Sequence, residues 1–185
     1  MLYLTIEPLK GVTISSNQEI LLGDHIADVE YLIGKPSSTI IIDSPDYSPG
    51  SFIRQSFYQE LEVRIDYNRF DKVDFIEFLS GPWPEKVCLS IYGINPFSIY
   101  WEELVEILTS KNNGRIDSKE APYAYCFQEL GVGIWRDANP KDVEDWINER
   151  KSNGTYEVDK EWLDEELEKS RHFWTIGIGD KSYYK

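Results

Sequence analysis

Two seven-residue segments of the chain are nearly the same, and each lies downstream of a stretch whose apolar residues recur at helical spacing. Residues 59–65 read QELEVRI and residues 128–134 read QELGVGI, which agree at five of the seven positions. A segment that recurs within the same order of elements indicates an internal repeat. We therefore predict a single domain with two tandem helix-then-hairpin units over residues 20–79 and 87–136. A C-terminal helical extension and last strand would follow over residues 137–185.

The first unit contains the clearest secondary-structure patterns. Apolar residues recur at helical spacing from Asp24 to Ile33, with Asp24 placed to cap the helix. Alternation of apolar and polar residues predicts a strand at Leu61–Tyr67, and Val73–Leu79 follows as its hairpin partner. Thr39–Asp43 is a further predicted strand, and the composition of residues 43–50 predicts an irregular loop.

The remaining elements follow from the same rules. Asn95 followed by Pro96 predicts the start of a helix that ends near Lys111. The other predicted elements are strands at Leu2–Pro8, Val87–Tyr92, Tyr123–Gln128, Leu130–Arg136 and Phe173–Gly179, helices at Lys141–Lys151 and Val158–Arg171, and a turn at Gly11–Asn17. We predict an α+β fold in which both units share one antiparallel sheet. Helices would pack on one face and leave the other face free to meet a partner.

One segment of the first unit resembles a known family. Residues Gly23–Pro36, GDHIADVEYLIGKP, resemble the helix signature of β-lactamase inhibitor proteins and outer-membrane assembly lipoproteins, in which a Gly precedes a Val and the helix closes with Leu-Gly-x-Pro. The resemblance implies units of one helix plus antiparallel strands, two of them in tandem in the inhibitor proteins. In general character the chain also resembles the small acidic immunity proteins that bacteria make against their own polymorphic toxins.

Charge limits the partners that the chain can accept. The sequence has 33 Asp and Glu against 19 Lys and Arg, a net charge of −14. Such a surface repels phosphate backbones and anionic lipids, so we expect no nucleic-acid and no membrane partner, and a basic protein instead. Because the N-terminus lacks the pattern of a signal peptide, we expect a cytoplasmic protein. The sequence leaves the oligomeric state open.

No combination of residues predicts a catalytic or metal centre. The two Cys and two His stand at positions 25, 88, 126 and 172, which is not the spacing of zinc ligands. Glu60 and Glu129 would occupy equivalent hairpin positions and form a conceivable acid/base pair, but both also suit solvated turns. We expect no catalytic residue, no metal and no cofactor, and we interpret the chain as a binding protein rather than an enzyme.

The acidic C-terminal region is the predicted partner-binding surface. Residues 137–169 hold 12 acidic and five basic residues together with two tryptophans. Acidic residues speed the approach of a basic partner, and Trp is a common interface anchor. The candidate partner-binding residues are Asp142, Glu144, Asp145, Trp146, Trp162, Asp164, Glu165 and Glu166. The leading hypothesis is an inhibitor or immunity protein that neutralises a basic toxin such as a nuclease.

A second hypothesis stays open beside it. A small-molecule enzyme or ligand-binding domain would need a pocket with convergent polar groups. Aromatic residues and one carboxylate could supply it, namely Tyr58, Glu60, Trp83, Tyr92 and Trp101. The two hypotheses differ in geometry, because an enzyme needs a deep pocket whereas a protein binder needs a broad exposed surface.

Overall fold

The computed structural model describes residues 1–15, 18–43, 52–181 and 183–184, and within these ranges the protein is a mixed α+β fold. The described strands are β1 Leu2–Glu7, β2 Gly11–Ser15, β3 Gln18–Leu21, β4 Ser38–Asp43, β5 Phe52–Tyr58, β6 Val63–Tyr67, β7 Val73–Phe78, β8 Val87–Ile91, β9 Ile116–Asp117, β10 Ala124–Phe127, β11 Val132–Trp135 and β12 Thr175–Gly179. The described helices are α1 Ile26–Ile33, α2 Trp101–Lys111, α3 Pro140–Ser152 and α4 Tyr156–Lys169. None of these four helices is both long and apolar enough to cross a membrane.

The strands form two sheets. The larger sheet is antiparallel and has the order β4-β5-β6-β7-β12-β11-β10-β9. The smaller sheet has the order β3-β2-β1-β8, in which β1 and β8 pair in parallel. The prediction of an α+β fold with an antiparallel sheet is therefore confirmed. The strand predicted at Val87–Tyr92 does not join that sheet, because β8 pairs with β1 in the smaller one.

One face of the large sheet forms the core. Ile65, Ile76, Ile178 and Val132 stand opposite one another on four neighbouring strands, and all four are buried. The same buried cluster includes Val29 of α1, Leu104 and Leu108 of α2, and the inner residues of the small sheet, Leu4, Ile6, Val12, Ile20, Leu89 and Ile91. Apolar alternation on the strands and helical spacing on α1 and α2 thus meet in one core.

The two similar heptapeptides form the same kind of turn. Residues 59–62 join β5 to β6, and residues 128–131 join β10 to β11. The last position of each turn is left-handed, with φ 52° at Glu62 and 59° at Gly131. Glycine adopts this conformation freely, whereas glutamate does so only at a cost. The two turns are therefore alike in backbone as well as in sequence.

The outer face of the large sheet carries aromatic rings laid over glycines. Gly133 and Gly177 are register partners on β11 and β12. A Cβ on Gly133 would lie 2.6 Å from the hydroxyl of Tyr184, and a Cβ on Gly177 would lie 2.2 Å from the ring of Phe75. Tyr183 stacks on Phe75 with ring centroids 4.2 Å apart. These strand glycines are therefore sites of close packing.

Several predicted boundaries are wrong for identifiable local reasons. His25, not Asp24, caps α1, because its Nδ1 accepts the amide of Ala27 while Asp24 accepts the amide of Leu21. Asn95 accepts the amide of Phe97 in a separate turn, and α2 begins only at Trp101.

Four of the described strands were missed in the sequence, and the shortest of them is β9, Ile116–Asp117. Residues 11–17 were predicted as a turn, but Gly11–Ser15 is β2 and Gln18–Leu21 is β3. Phe52–Tyr58 was assigned no element and is β5. The predicted loop at 43–50 lies outside the described residues except for Asp43, which ends β4.

Candidate functional site

The helical hairpin of α3 and α4 is inserted between β11 and β12, two paired strands of the large sheet. Asn139 begins α3 through a capping box, in which its side chain accepts the amide of Lys141 and Asp142 accepts the amide of Asn139. Val143 and Leu163 are the buried residues of the two helices. With one buried residue on each helix, many side chains of the hairpin remain exposed.

Trp146 and Trp162 form a stacked pair across this hairpin. Their ring centroids are 6.2 Å apart, and the ring planes are within 9° of parallel. Each ring remains open to solvent, with 37% of Trp146 and 48% of Trp162 exposed. Exposed paired tryptophans are unusual on a free surface, because large apolar rings are favourable to bury. The pair is therefore the first sign of a binding surface.

The pair forms one wall of a cavity of about 600 Å³, which we call the tryptophan cavity. Trp174 contributes a third indole, held by a hydrogen bond from its Nε1 to the carbonyl of Lys169 and by edge-to-face contact with Trp135. The other lining residues are Gly81, Asp137, Glu149, Arg150, Glu166 and Lys169.

The charges around the tryptophan cavity favour a cation. Arg150 Nε lies 3.2 Å from the carboxylate of Asp159, so the positive charge of Arg150 is already paired. Lys169 Nζ lies 2.9 Å from Glu166 and 3.2 Å from Glu165, and the hydrogen bond with Glu166 raises the pKa of Lys169. Within the described part of the chain, no ion pair involves the other two lining carboxylates, Asp137 and Glu149. The cavity therefore presents an excess of negative charge beside exposed indoles.

A second hollow adjoins this surface. It has a volume of about 480 Å³ and is lined mainly by Trp83, Tyr100, Glu103, Glu168 and His172. Trp83 links the two, because its ring centre lies 5.7 Å from Lys169 Nζ of the tryptophan cavity. His172 is fixed here by a 2.8 Å hydrogen bond between Nδ1 and the carbonyl of Ile99. Aromatic and acidic side chains thus continue from the helical hairpin onto the start of α2.

The predicted partner-binding residues divide into three groups. Trp146, Trp162 and Glu166 line the tryptophan cavity. Glu165 does not line it but forms an ion pair with Lys169, which does. Glu144, Asp145 and Asp164 are exposed on the helices, where Asp145 pairs with Lys141. Asp142 has a structural role, because it completes the α3 cap and accepts the hydroxyl of Tyr123.

The sequence did not identify the rest of the cavity. Trp174 lay in a predicted strand, and Asp137 and Glu149 were counted only as part of the acidic region. Trp83, which lines the adjoining hollow, was assigned to the alternative pocket. The chain has six tryptophans, and that high number is the signal that could have pointed to Trp174. No comparable signal distinguishes Asp137 and Glu149 from the other acidic residues.

The residues of the alternative pocket make separate contacts. Tyr58 is buried and shares a hydrogen bond with Tyr67, while Glu60 is exposed and pairs with Lys86. The other three contact cations elsewhere, Trp83 with Lys169, Tyr92 with Lys111 and Trp101 with Arg136. They do not line one cavity together, since Tyr58 and Trp83 line different hollows.

Other groups with chemical potential are used locally. Glu60 and Glu129 pair with Lys86 and Lys181 respectively, each at its own turn. Cys88 and Cys126 are free and half-buried, and burial raises the pKa of the Cys126 thiol. Among the described residues, no three His, Cys, Asp or Glu side chains are grouped in a way that could hold a metal ion.

A scan against protein-family models gives no match, and searches of curated proteins and of solved structures give none either. The function is therefore argued from the geometry of the tryptophan cavity and its surroundings.

Proposed function

We propose that this chain is a protein-binding protein of the inhibitor or immunity type that holds a basic partner, such as a nuclease toxin, against the tryptophan cavity. The observation that carries the proposal is the stacked, exposed pair of Trp146 and Trp162 at the wall of a cavity lined by carboxylates. Aromatic rings supply contact area, and the carboxylates supply preference for positive charge.

Arginine is the side chain that best fits this chemistry. Its planar guanidinium stacks on an indole ring and pairs with a carboxylate at the same time. Trp146, Trp162 and Trp174 offer the rings, and Asp137 and Glu149 offer carboxylates that no cation in the described part of the chain occupies. Interface hot spots are enriched in Trp and Arg, and truncation of one costs about 2 kcal/mol or more.

Long-range charge supports the same partner. Residues 137–169, which include both helices of the hairpin, hold seven more acidic than basic residues, half of the net charge of −14. A concentrated negative field accelerates the approach of a basic protein and orients it, and salt screens this effect. A partner with a basic active-site cleft would be steered toward this hairpin.

The arrangement of the large sheet supports the tandem-unit interpretation. α1 precedes β4 to β7, and α2 precedes β9 to β12, with α3 and α4 inserted before the last strand. The two sets occupy opposite halves of the sheet and meet at β7 and β12. The matching turns at 59–62 and 128–131 join the second and third strands of each set. We propose that the halves are copies of one unit, as the resemblance to tandem inhibitor proteins implies.

A direct test uses a short oligo-arginine peptide as the probe and tryptophan fluorescence as the signal. We expect saturable binding that weakens as salt rises, and at least a tenfold weaker association for Trp162→Ala. Glu149→Gln should weaken binding, whereas its matched control Glu60→Gln removes the same charge at the β5–β6 turn and should have a smaller effect. Equal binding of oligo-glutamate, or no effect of Trp162→Ala, would contradict the proposal.

The natural partner can then be sought with the same variants. Tagged protein should retain a basic protein from lysate of its own source, and high salt should release it. The Trp162→Ala bait should lose that protein, whereas Tyr31→Ala, which removes an exposed ring from α1, should keep it. If the purified partner has nuclease activity, the wild-type chain should inhibit it and the Trp162→Ala chain should not. A partner that both baits retain equally binds elsewhere and refutes this site.

A further inference from the structure

Within the described ranges of the chain, strand β4 is an edge of the large sheet. It pairs with β5 over all six of its residues without a register shift, and among the described residues no strand lies on its other side. Three consecutive isoleucines lie on this edge, with Ile40 51%, Ile41 61% and Ile42 42% exposed. Because successive side chains point to opposite faces, the apolar exposure is present on both faces of the sheet.

Such an edge is unusual because free backbone groups on a regular, apolar strand attract another strand. Natural sheets protect their edges with lysines, prolines, bulges or very short strands. The opposite edge of the same sheet follows this rule, because β9 has only two residues. β4 has the sequence STIIID, with no lysine and no proline, and its pairing contains no bulge. These features are typical of an edge strand that pairs with a strand of another chain.

The charge of β4 distinguishes between possible occupants. The chain as a whole has a net charge of −14, but β4 has a single charged residue, at its end. A basic partner would gain little from an uncharged strand. A second copy of this chain, by contrast, is repelled by most of the surface and can approach most easily where the charge is absent.

The sequence of β4 also matches itself in antiparallel pairing. In a continuous antiparallel sheet, residues opposite each other lie on the same face. Two copies of β4 satisfy this rule when the two-fold axis that relates them passes through a residue, and Ile41 is such a position. Ile41 then faces its own counterpart, and Ile40 faces Ile42 of the second copy on both sides of the axis. We infer that two copies pair through β4 into one continuous antiparallel sheet, independently of the proposed function.

The contact is small, so the dimer is weak. A single strand edge buries less than the roughly 1,200 Å² of a stable interface. The salt dependence follows from the charges, because two chains of charge −14 repel each other and screening reduces that repulsion. Salt therefore strengthens the dimer, whereas it weakens the binding of a basic partner to the tryptophan cavity. The two interactions can thus fail or succeed separately.

Sedimentation velocity over a range of protein concentrations tests the inference, at about 0.01 M and about 1 M NaCl, between which the Debye length falls about tenfold. We expect a monomer–dimer equilibrium that tightens at high salt. Ile40→Lys should weaken it at least tenfold, because Ile40 stands opposite the neutral Gln55 on β5 and a lysine there disturbs the edge without an internal like-charge contact. Val158→Lys adds the same charge at an exposed position of α4 and should not weaken the dimer, because it only reduces the repulsion between the two acidic chains.

Amide hydrogen exchange on the unmodified protein provides a measurement that needs no variant. The β4 amides that face away from β5 should become slower to exchange as the protein concentration rises, and amides at the α1 surface should not change. A monomer at every concentration and salt would overturn the inference. A dimer that Ile40→Lys and Val158→Lys affect equally, with no change at β4 amides, would place the contact elsewhere and overturn it as well.

Discussion

The guanidinium carbon of Arg136 lies 4.5 Å from the centre of the Trp101 ring at the start of α2. The side chain is fully buried. Arg136 donates from Nε to the carbonyl of Pro122 and from Nη1, at 2.7 Å, to the carbonyl of Ser170 at the end of α4. The guanidinium carbon also lies 5.3 Å from the centre of the Phe173 ring. One buried cation thus joins α2, α4 and the segment before β10, and its burial lowers the pKa of Arg136.

Arg136→Lys should destabilise the fold by about 2 kcal/mol or more, although it keeps the charge. An ammonium cannot reproduce the planar fork that reaches two carbonyls, and each lost bond leaves a buried acceptor. Urea unfolding measures the change, with the exposed Arg115→Lys as the control at less than about 0.5 kcal/mol. Equal stability of the two variants would show that the guanidinium does not hold these segments together.

The hydrogen bonds of the Glu62 side chain should stabilise the fold by more than the left-handed backbone of Glu62 destabilises it. Its carboxylate accepts the amides of Glu85, Lys86 and Val87 at 2.9, 3.2 and 3.3 Å, which fixes the start of β8. Glu62→Gly relieves the left-handed strain of about 1 kcal/mol but removes these charge-assisted bonds. We expect a net loss of about 1–2 kcal/mol in urea unfolding, and a smaller loss for Glu62→Gln. A Glu62→Gly protein more stable than wild type would mean that the strain dominates.

Gly133→Ala should destabilise the protein through Tyr184. The added Cβ would lie 2.6 Å from the Tyr184 hydroxyl, so the ring must move and lose its hydrogen bond to the carbonyl of Gly177. Overpacking of this kind costs about 1–3 kcal/mol. In a Tyr184→Ala background the cost should fall by about 1 kcal/mol or more, which a double-mutant cycle measures. Additive losses would show that the tyrosine is not the obstacle.

Asp66→Asn should change how stability depends on pH. The Asp66 side chain is only 3% exposed, and burial raises its pKa even though Arg64 lies 3.0 Å away and opposes the shift. A carboxyl whose pKa is higher in the folded state loses stability as pH rises through that pKa. The variant should therefore gain on wild type between about pH 3.5 and pH 7, by about 1.4 kcal/mol for each unit of difference between the folded and unfolded pKa values.

Urea unfolding of both proteins at several pH values measures this difference. Asp74, whose pKa burial also raises, is present in both proteins, so its contribution cancels in the comparison. A variant that loses stability relative to wild type as pH rises would mean that the ion pair with Arg64 outweighs burial.

Periodic segments of the sequence were interpreted correctly, and irregular ones were not. The alternation in Leu61–Tyr67 and the helical spacing before Gly34 each depend on neighbours within one element, so they predict β6 and α1 well. β5 reads FIRQSFY and has no regular alternation of apolar and polar residues. Its extended conformation is fixed by pairing with β4 and β6 on its two sides, which a local pattern does not show. The parallel pairing of β1 with β8 joins residues about 85 positions apart, and no local pattern indicates it.

The site shows the same limit. Trp146 and Trp162 could be selected because they lie in an acidic helical region, which is a local property. Trp174, the residue before β12, and Gly81, in the loop between β7 and β8, complete the tryptophan cavity, and only the folded chain brings them to α3 and α4. The charge of Asp142 indicates a partner-binding residue, whereas its role as a cap depends on Asn139 three residues earlier, a capping-box spacing that is present in the sequence.

The insertion of α3 and α4 has a consequence for which parts of the chain can change independently of the sheet. Trp135 and Thr175 are register partners on adjacent strands, so the chain leaves the sheet and returns to it at neighbouring points. The pairing of β11 with β12 requires only that the insertion begin and end at these two neighbouring positions, so its length and its surface can change while the strand register stays the same.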